Sequence, residues 1–138
     1  MYPAYIVEPM KAELTTAGFE DLTDAQMVTD VLTNTEGTVF LVINSVCGCA
    51  AANARPGAKL AVHYAEKKPT KLATVFAGFD QAAVAQARQL TSPYPPSSPS
   101  MGLFKNGKLV YFMERHQIEG VSAQAIAKEL LAAFEAYC

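Results

Sequence analysis

The chain has 138 residues, 51% of them apolar and 17% charged. That is enough apolar material for one hydrophobic core without staples, and it excludes a disordered chain. The formal charge is -2 with no dense Lys/Arg cluster, so the electrostatic footprint of a nucleic-acid binder is missing. The longest apolar runs are of strand length, short of the ~20 residues that span a bilayer. Neither nucleic acid nor membrane is expected as a partner.

The opening "MYPAYIVEPMKAEL" has no basic segment followed by an apolar one, so no secretory leader is expected. Three cysteines is an odd count for a disulfide-stapled secreted domain, which favours a reducing, cytoplasmic setting. Pro9 is expected to open a short helix with Met10, Leu14 and Ala17 on one face, ended by Gly18. Thr23 stands three residues before Gln26, the spacing of a capping box. Met27, Val28, Val31 and Leu32 then form a helical stripe that Gly37 stops. "TVFLVIN" is largely β-branched and apolar on both alternating faces, as a strand covered on both sides requires.

Beyond the cysteines, "AAANARPGAKLAVHYAEKK" is helical by propensity, with a kink expected at Pro56 and Gly57. "TKLATVFAGF" reads as a second buried strand, and Asp80 as the cap of the helix that follows. "TSPYPPSSPS" cannot continue that helix and reads as a loop to the next strand. "MGLFKNGKLVYFME" is a hairpin turning at Asn106-Gly107. Ser122 is placed to cap a last helix that presents Ile126, Leu130, Phe134 and Tyr137 on one face.

A strand–helix–strand crossover followed by a hairpin and a terminal helix implies an α/β architecture. The expected form is thioredoxin-like, a four-stranded mixed sheet with helices on both faces. Residues 1–138 read as one such domain with an N-terminal helical extension. Open sheets of this kind put their chemistry at the carboxyl ends of the strands. "NSVCGCAAANARPG" begins there.

Two thiols one residue apart form a structural bridge, hold a metal, or exchange disulfides. A Cys-Gly-Cys at a strand-to-helix junction is a poor core pattern, and a structural zinc site wants four ligands in spaced pairs. The other candidate ligands are His63, His116 and Cys138; His63 reads as a helix residue and His116 as a strand end, and neither has ligand spacing to the pair. Redox chemistry therefore fits best. At a helix start, Cys47 meets unpaired N–H groups and the positive end of the macrodipole, so its pKa is expected to be lowered. No carboxylate in "NSVCGCAAANAR" opposes that shift, while Arg55 adds a cation whose direction the sequence leaves open.

Cys49 is near enough to resolve a mixed disulfide on Cys47, and Gly48 gives the backbone freedom a tight ring needs. The ring is smaller than that of Cys-x-x-Cys, so a strained disulfide with a more oxidising potential is expected. Asn44, Ser45 and Asn53 either bond a thiolate or substrate, or satisfy backbone groups around the strand end. Tyr94 is either an apolar contact for a substrate or packed on its own domain. Cys138 is a loose terminal thiol, an intermolecular disulfide partner, or a redox relay if the last helix docks near the site.

"NSVCGCAAANARPG", "MYPAYIVEPMKAELTTAGF" and "FEAYC" together resemble the bacilliredoxin family, thioredoxin-fold proteins with a Cys-Gly-Cys site. The resemblance covers nearly the whole chain. It implies removal of bacillithiol, a low-molecular-weight thiol, from protein mixed disulfides, with Cys47 attacking and Cys49 resolving. Disulfide isomerase activity is also associated with the family. "SPSMGLFKNGK" is similar to the thioredoxin segment that carries a cis-proline beside the active disulfide. Pro99, preceded by Ser98, falls on that position and would align an extended substrate. Leu41 stands where thioredoxin has a buried carboxylate, and the chain has no tryptophan. Both departures speak against a role as a general thioredoxin-reductase substrate.

The sequence thus reads as a thiol–disulfide oxidoreductase with Cys47 and Cys49 catalytic. Pro99, Ser98, Gly48 and Asn53 are its expected substrate-binding residues. No metal or cofactor is expected beyond a redox-active Cys47–Cys49 disulfide, with the low-molecular-weight thiol as co-substrate. The expected partners are client proteins carrying mixed disulfides. The alternatives are a thiol-based zinc or copper carrier and a redox-sensing interaction module.

Overall fold

Strand β2, Thr38–Asn44, is buried at all of its positions, which explains why it is apolar on both faces. Phe40 and Val42 enter one core with Leu14, Met101, Leu130 and Phe134. Val39, Leu41 and Ile43 enter a second core with Val28, Leu32, Val75 and Val84. The computed structural model describes residues 1–138 and builds outward from this strand. Before it come α1 (Ala4–Thr15), β1 (Glu20–Asp21) and α2 (Ala25–Asn34). After it, helical turns from Gly48 lead through a π-helical stretch (Ala50–Ala54) into α3 (Arg55–Tyr64). Then follow β3 (Lys71–Phe76), α4 (Gln81–Leu90), β4 (Ser100–Lys105), β5 (Lys108–Met113), a 3-10 turn (Arg115–Gln117) and α5 (Ala123–Tyr137).

The sheet order is β1-β3-β2-β4-β5, with β1, β3 and β2 parallel and β4 and β5 antiparallel to their neighbours. The mixed α/β sheet is as expected, but it has five strands and not four. The extra one is two residues long and pairs Glu20 with Ala73 and Asp21 with Thr74. Two acidic residues carry neither alternation nor β propensity, so no sequence signal marks them.

Several helix boundaries also differ from expectation. Helix α1 starts five residues before Pro9 would have placed it, and Pro9 lies inside it. Val7, Lys11 and Leu14 are buried on one face, and that i, i+4, i+7 stripe carries the helix past one missing N–H. Asp24, not Thr23, caps α2, accepting from the Met27 N–H at 2.8 Å. Asp80 makes no cap bond; its carboxylate lies 2.7 Å from the Lys11 ammonium instead. The irregularity expected at Pro56-Gly57 falls one turn upstream, where the Arg55 N–H reaches Ala50 O in the π-helical stretch. Pro56, with no N–H to give, follows directly in the first turn of α3, where the π-helical stretch has already interrupted the regular ladder.

Other expectations hold. Asn106 (φ 50°) and Gly107 (φ 82°) form the hairpin turn, both with the positive φ of a type I′ turn. Ser122 caps α5 by accepting from the Ala125 N–H at 3.1 Å. Helices α3 and α5 cover one sheet face and α2 and α4 the other. Gly57 sets the closeness of the first pair, since a Cβ there would stand 2.6 Å from Ile126 Cγ2. Lys11, 5% exposed, bonds Asp21 at 3.0 Å as well as Asp80, joining α1 to β1 and to the turn after β3. No helix is long and apolar enough to cross a membrane.

Candidate active site

The register brings three chain segments to one end of the sheet. β2 ends at Asn44 opposite Phe76, β4 begins at Ser100 opposite Ile43, and β5 ends at Met113 opposite Met101. The cysteine segment, the Pro/Ser loop and the residues after β5 therefore meet where the chain leaves the central strand.

Asn44 and Ser45 are buried and their polar groups are committed to holding this exit. Asn44 O accepts from the Ala77 N–H at 2.9 Å. Its side-chain oxygen accepts from the Ser45 N–H at 2.8 Å and from Arg55 Nη1 at 3.0 Å. The same Arg55 nitrogen donates to Ser45 O at 2.8 Å, while Nε pairs with Glu13 at 3.2 Å. Arg55 is thus a buried clamp on the strand exit, and the cation beside the sulfurs is a different one.

Cys47 and Cys49 are both free and half-buried, with their Sγ atoms 2.7 Å apart. The Ser45 hydroxyl donates to Cys47 Sγ at 3.2 Å. Ala50 and Ala51 donate their N–H groups to Cys47 O at 3.1 and 3.2 Å, closing the first helical turn behind the thiol. Burial by itself pushes the Cys47 thiol up. Hydrogen bonds from Cys49, Ser45 and the Ala50 N–H, together with the Arg115 charge, outweigh burial and hold it below an ordinary thiol. Cys49 moves the other way: burial, the Cys47 sulfur and the Glu119 carboxylate push it up, against Arg115. One thiol is prepared as an anion and its neighbour as an acid. The lowered pKa expected for Cys47 is present, although Glu119, far off in sequence, supplies a carboxylate next to its partner.

Arg115 has no signal in its local sequence. Its place follows from the hairpin, because a residue just beyond β5 returns to the end of the sheet where β2 exits. Its N–H bonds Ser97 Oγ at 3.4 Å, Nη1 donates to Ser98 O at 3.1 Å, and Nε pairs with Glu119 at 3.4 Å. Ser98 walls a cleft of about 260 Å³ that opens onto Cys47 and is also lined by Tyr2, Ser45, Arg88 and Arg115. Cys49 does not line it. The Ser98–Pro99 bond is cis, as is Ser92–Pro93, and Pro99 is buried behind Ser98.

The other expected site residues divide. A Cβ on Gly48 would meet nothing within 4 Å, so this position is open space beside the thiols, and its φ is not one that demands glycine. The Asn53 amide donates to Val121 O in the approach to α5, tying the π-helical stretch to that segment. Tyr94 stacks on Phe112 at 4.7 Å, packed on its own domain. Leu41 is fully buried in the second core, so that position carries no proton. His63 lies edge-on to Tyr64, and His116, in the 3-10 turn and not in a strand, pairs with Glu114 at 3.2 Å. Nowhere do three His, Cys, Asp or Glu side chains converge.

Cys138 cannot relay oxidation to the pair by docking of the last helix. Ala123, at the start of α5, lies against Gly57 near the site, and Glu135, near its end, pairs with Lys67 beyond α3. Fifteen residues at 1.5 Å each carry the terminal thiol about 22 Å away.

A free Cys-x-Cys pair at the exit of the central strand of a thioredoxin-type sheet, with one thiol acidified, defines a thiol–disulfide oxidoreductase-like protein. One solved chain with a thioredoxin fold superposes with a TM-score of 0.62 at 18% identity, covering 83% of this chain and 96% of that one. The thioredoxin of Malassezia sympodialis gives 0.56 at 15% identity, covering 87% and 90%. These fix the fold. A family model described as disulphide isomerase matches residues 2–138. A bacilliredoxin of Cytophaga hutchinsonii is 54% identical over 130 residues, 94% of this chain and 95% of that protein. One from Bacillus cereus is 50% identical over 137 residues, 99% of this chain and 95% of its own. The chain belongs to the bacilliredoxin family.

Proposed function

We propose that the protein removes a low-molecular-weight thiol of the bacillithiol type from client proteins to which it is bound by a mixed disulfide. The Cys47 thiolate attacks the small thiol's sulfur, the mixed S–S bond breaks, and the client leaves as a thiolate that takes a proton from water. Cys47 is then a neutral adduct. It no longer repels charge on Cys49, so the acid of the pair can ionise, helped by Arg115. Cys49 attacks Cys47 Sγ, expels the small thiol and closes the Cys47–Cys49 disulfide. The two electrons lost by the cysteines are those gained by the mixed disulfide, and an external thiol reductant reopens the pair.

The observation that carries this reading is the pair of free thiols at the exit of the central strand, Sγ atoms 2.7 Å apart, of which Cys47 accepts from the Ser45 hydroxyl and alone lines the cleft. Open space over Gly48 and the Ser98 wall, backed by buried Pro99, provide a lane for an extended client segment. The bacillithiol assignment rests on the family, and a secondary isomerase activity rests on the family's description. Residues 1–138 would work as one domain, in the cytoplasm where mixed disulfides must be reversed. In an assay that follows release of a client thiol from its mixed disulfide, Cys47→Ser abolishes release. Cys49→Ser permits a single transfer and no recycling. Full activity in Cys47→Ser would refute the assignment.

A further inference from the structure

Arg55 is 1% exposed and is among the largest fully buried side chains of the protein. Its guanidinium lies where three elements meet. Nε stands 3.2 Å from Glu13 of α1, and Nη1 donates to Asn44 Oδ1 at the end of β2 and to the Ser45 carbonyl just beyond it. Asn44 passes the constraint on, because its side-chain oxygen also accepts from the Ser45 N–H at 2.8 Å while its Nδ2 donates to Met10 O of α1 at 3.3 Å. Both backbone groups of Ser45 are therefore held, one through Asn44 and one by Arg55 directly. The Ser45 hydroxyl that remains accepts from the Cys47 N–H at 3.4 Å and donates to Cys47 Sγ at 3.2 Å. A buried charge is expensive, and apolar residues of similar volume often stabilise a core as well. An apolar residue cannot hold acceptors on two consecutive residues, and a lysine lacks the planar fork that does so.

From this chain of contacts we infer that Arg55 is a positioning residue: anchored to Glu13, it fixes Asn44 and Ser45 so that the Ser45 hydroxyl points at Cys47 Sγ. This role deepens the exchange reading above and rests on it for the use to which the thiolate is put. The groups that face Cys47 itself are Cys49 in its own turn, Arg115 beyond β5, and Arg88 of α4 and Tyr2 across the cleft. Glu119 faces Cys49. Arg55 bonds to none of them, so its effect on the thiol runs through Ser45.

The test measures the pH midpoint for iodoacetamide alkylation of Cys47 in the full chain carrying Cys49→Ser. Peptide mass separates Cys47 from Cys138. The midpoint is compared with Arg55→Lys, with Ser45→Ala and with both. Arg55→Lys keeps the charge and raises the midpoint by up to about one pH unit, the worth of one hydrogen bond to the thiolate. Ser45→Ala raises it similarly, and the double variant rises no further than Ser45→Ala alone. An unchanged midpoint in Arg55→Lys would overturn the inference. So would an equal further rise when Arg55→Lys is added to Ser45→Ala, the result expected of a general loosening of the site. Glu13→Gln removes the anchor from the partly exposed end of the network. Where Arg55→Lys does not fold, it gives the same reading: a rise that disappears in the Ser45→Ala background, with no rise overturning the inference. Alkylation does not depend on exchange. A Ser45-dependent rise in a protein that forms no adduct with any mixed disulfide would leave the positioning role standing and refute the exchange reading.

Discussion

The hydroxyl of Ser45 donates to the sulfur of Cys47 at 3.2 Å, across the single bend that joins the central strand to the active-site helix. A donor to the charged form of an acid lowers its pKa. Ser45→Ala removes that donor while leaving the backbone bonds of the exit in place. A hydrogen bond of about 0.5–1.5 kcal/mol corresponds to at most about one pKa unit. The pH midpoint for alkylation of Cys47, read by mass in the Cys49→Ser background, rises by that amount. No rise would mean that the hydroxyl has no part in acidifying the thiol.

Arg115 acts on both sulfurs, lowering each, from an exposed position where salt screens it. Arg115→Gln therefore raises the Cys47 alkylation midpoint, and at neutral pH slows the reaction. In the unsubstituted protein the rate falls as ionic strength increases, whereas in Arg115→Gln the salt dependence is lost. Equal salt dependence in both would place the relevant charge elsewhere.

The Gly57 position tests how closely α3 and α5 approach. An added methyl would lie 2.6 Å from Ile126 Cγ2 and 2.9 Å from its Cβ, a stiff β-branched side chain with little room to yield. Gly57→Ala costs about 1–3 kcal/mol in overpacking, against a helix-propensity gain of about 1 kcal/mol. Urea denaturation shows a net loss, and that loss shrinks when Ile126→Ala is added. Additivity of the two substitutions would deny the contact.

Lys11 makes stability depend on alkaline pH. Burial works to lower its pKa, but hydrogen bonds and charge from Asp80 and Asp21 prevail and raise it above the usual 10.5. Its contribution is complete below that value and is lost as pH rises through the raised folded pKa. Lys11→Met leaves two carboxylates facing each other and loses about 3 kcal/mol near neutrality, at the low end for a broken buried pair. The difference from the unsubstituted protein narrows above pH 10.5. A constant difference from pH 7 to 11 would contradict the ion-pair account.

The core of the fold was legible because β2 and β3 are apolar runs of strand length and because Asn106-Gly107 has one strong reading. What escaped depended on partners distant in sequence. Glu20 and Asp21 become a strand only because β3 offers them an edge. Asp80 gives up its capping role because Lys11 takes its carboxylate. The cysteine pair was visible as chemistry, and the register explains why its position at the end of β2 was inferred correctly. Arg115, Glu119 and Arg88 belong to the site through the hairpin, the turn after it and the end of α4. The Asn53 amide is engaged by the carbonyl of Val121, an acceptor that nothing near it in sequence reveals.

The most direct test of the central claim is the intact mass of reduced protein after exposure to a client–small-thiol mixed disulfide, with and without Cys49→Ser. The account predicts one small-thiol adduct mapped to Cys47 in the variant, and a loss of two hydrogens with no adduct in the unsubstituted protein. An adduct on Cys49, or a stable Cys47 adduct in the unsubstituted protein, would contradict the division of labour between the two thiols.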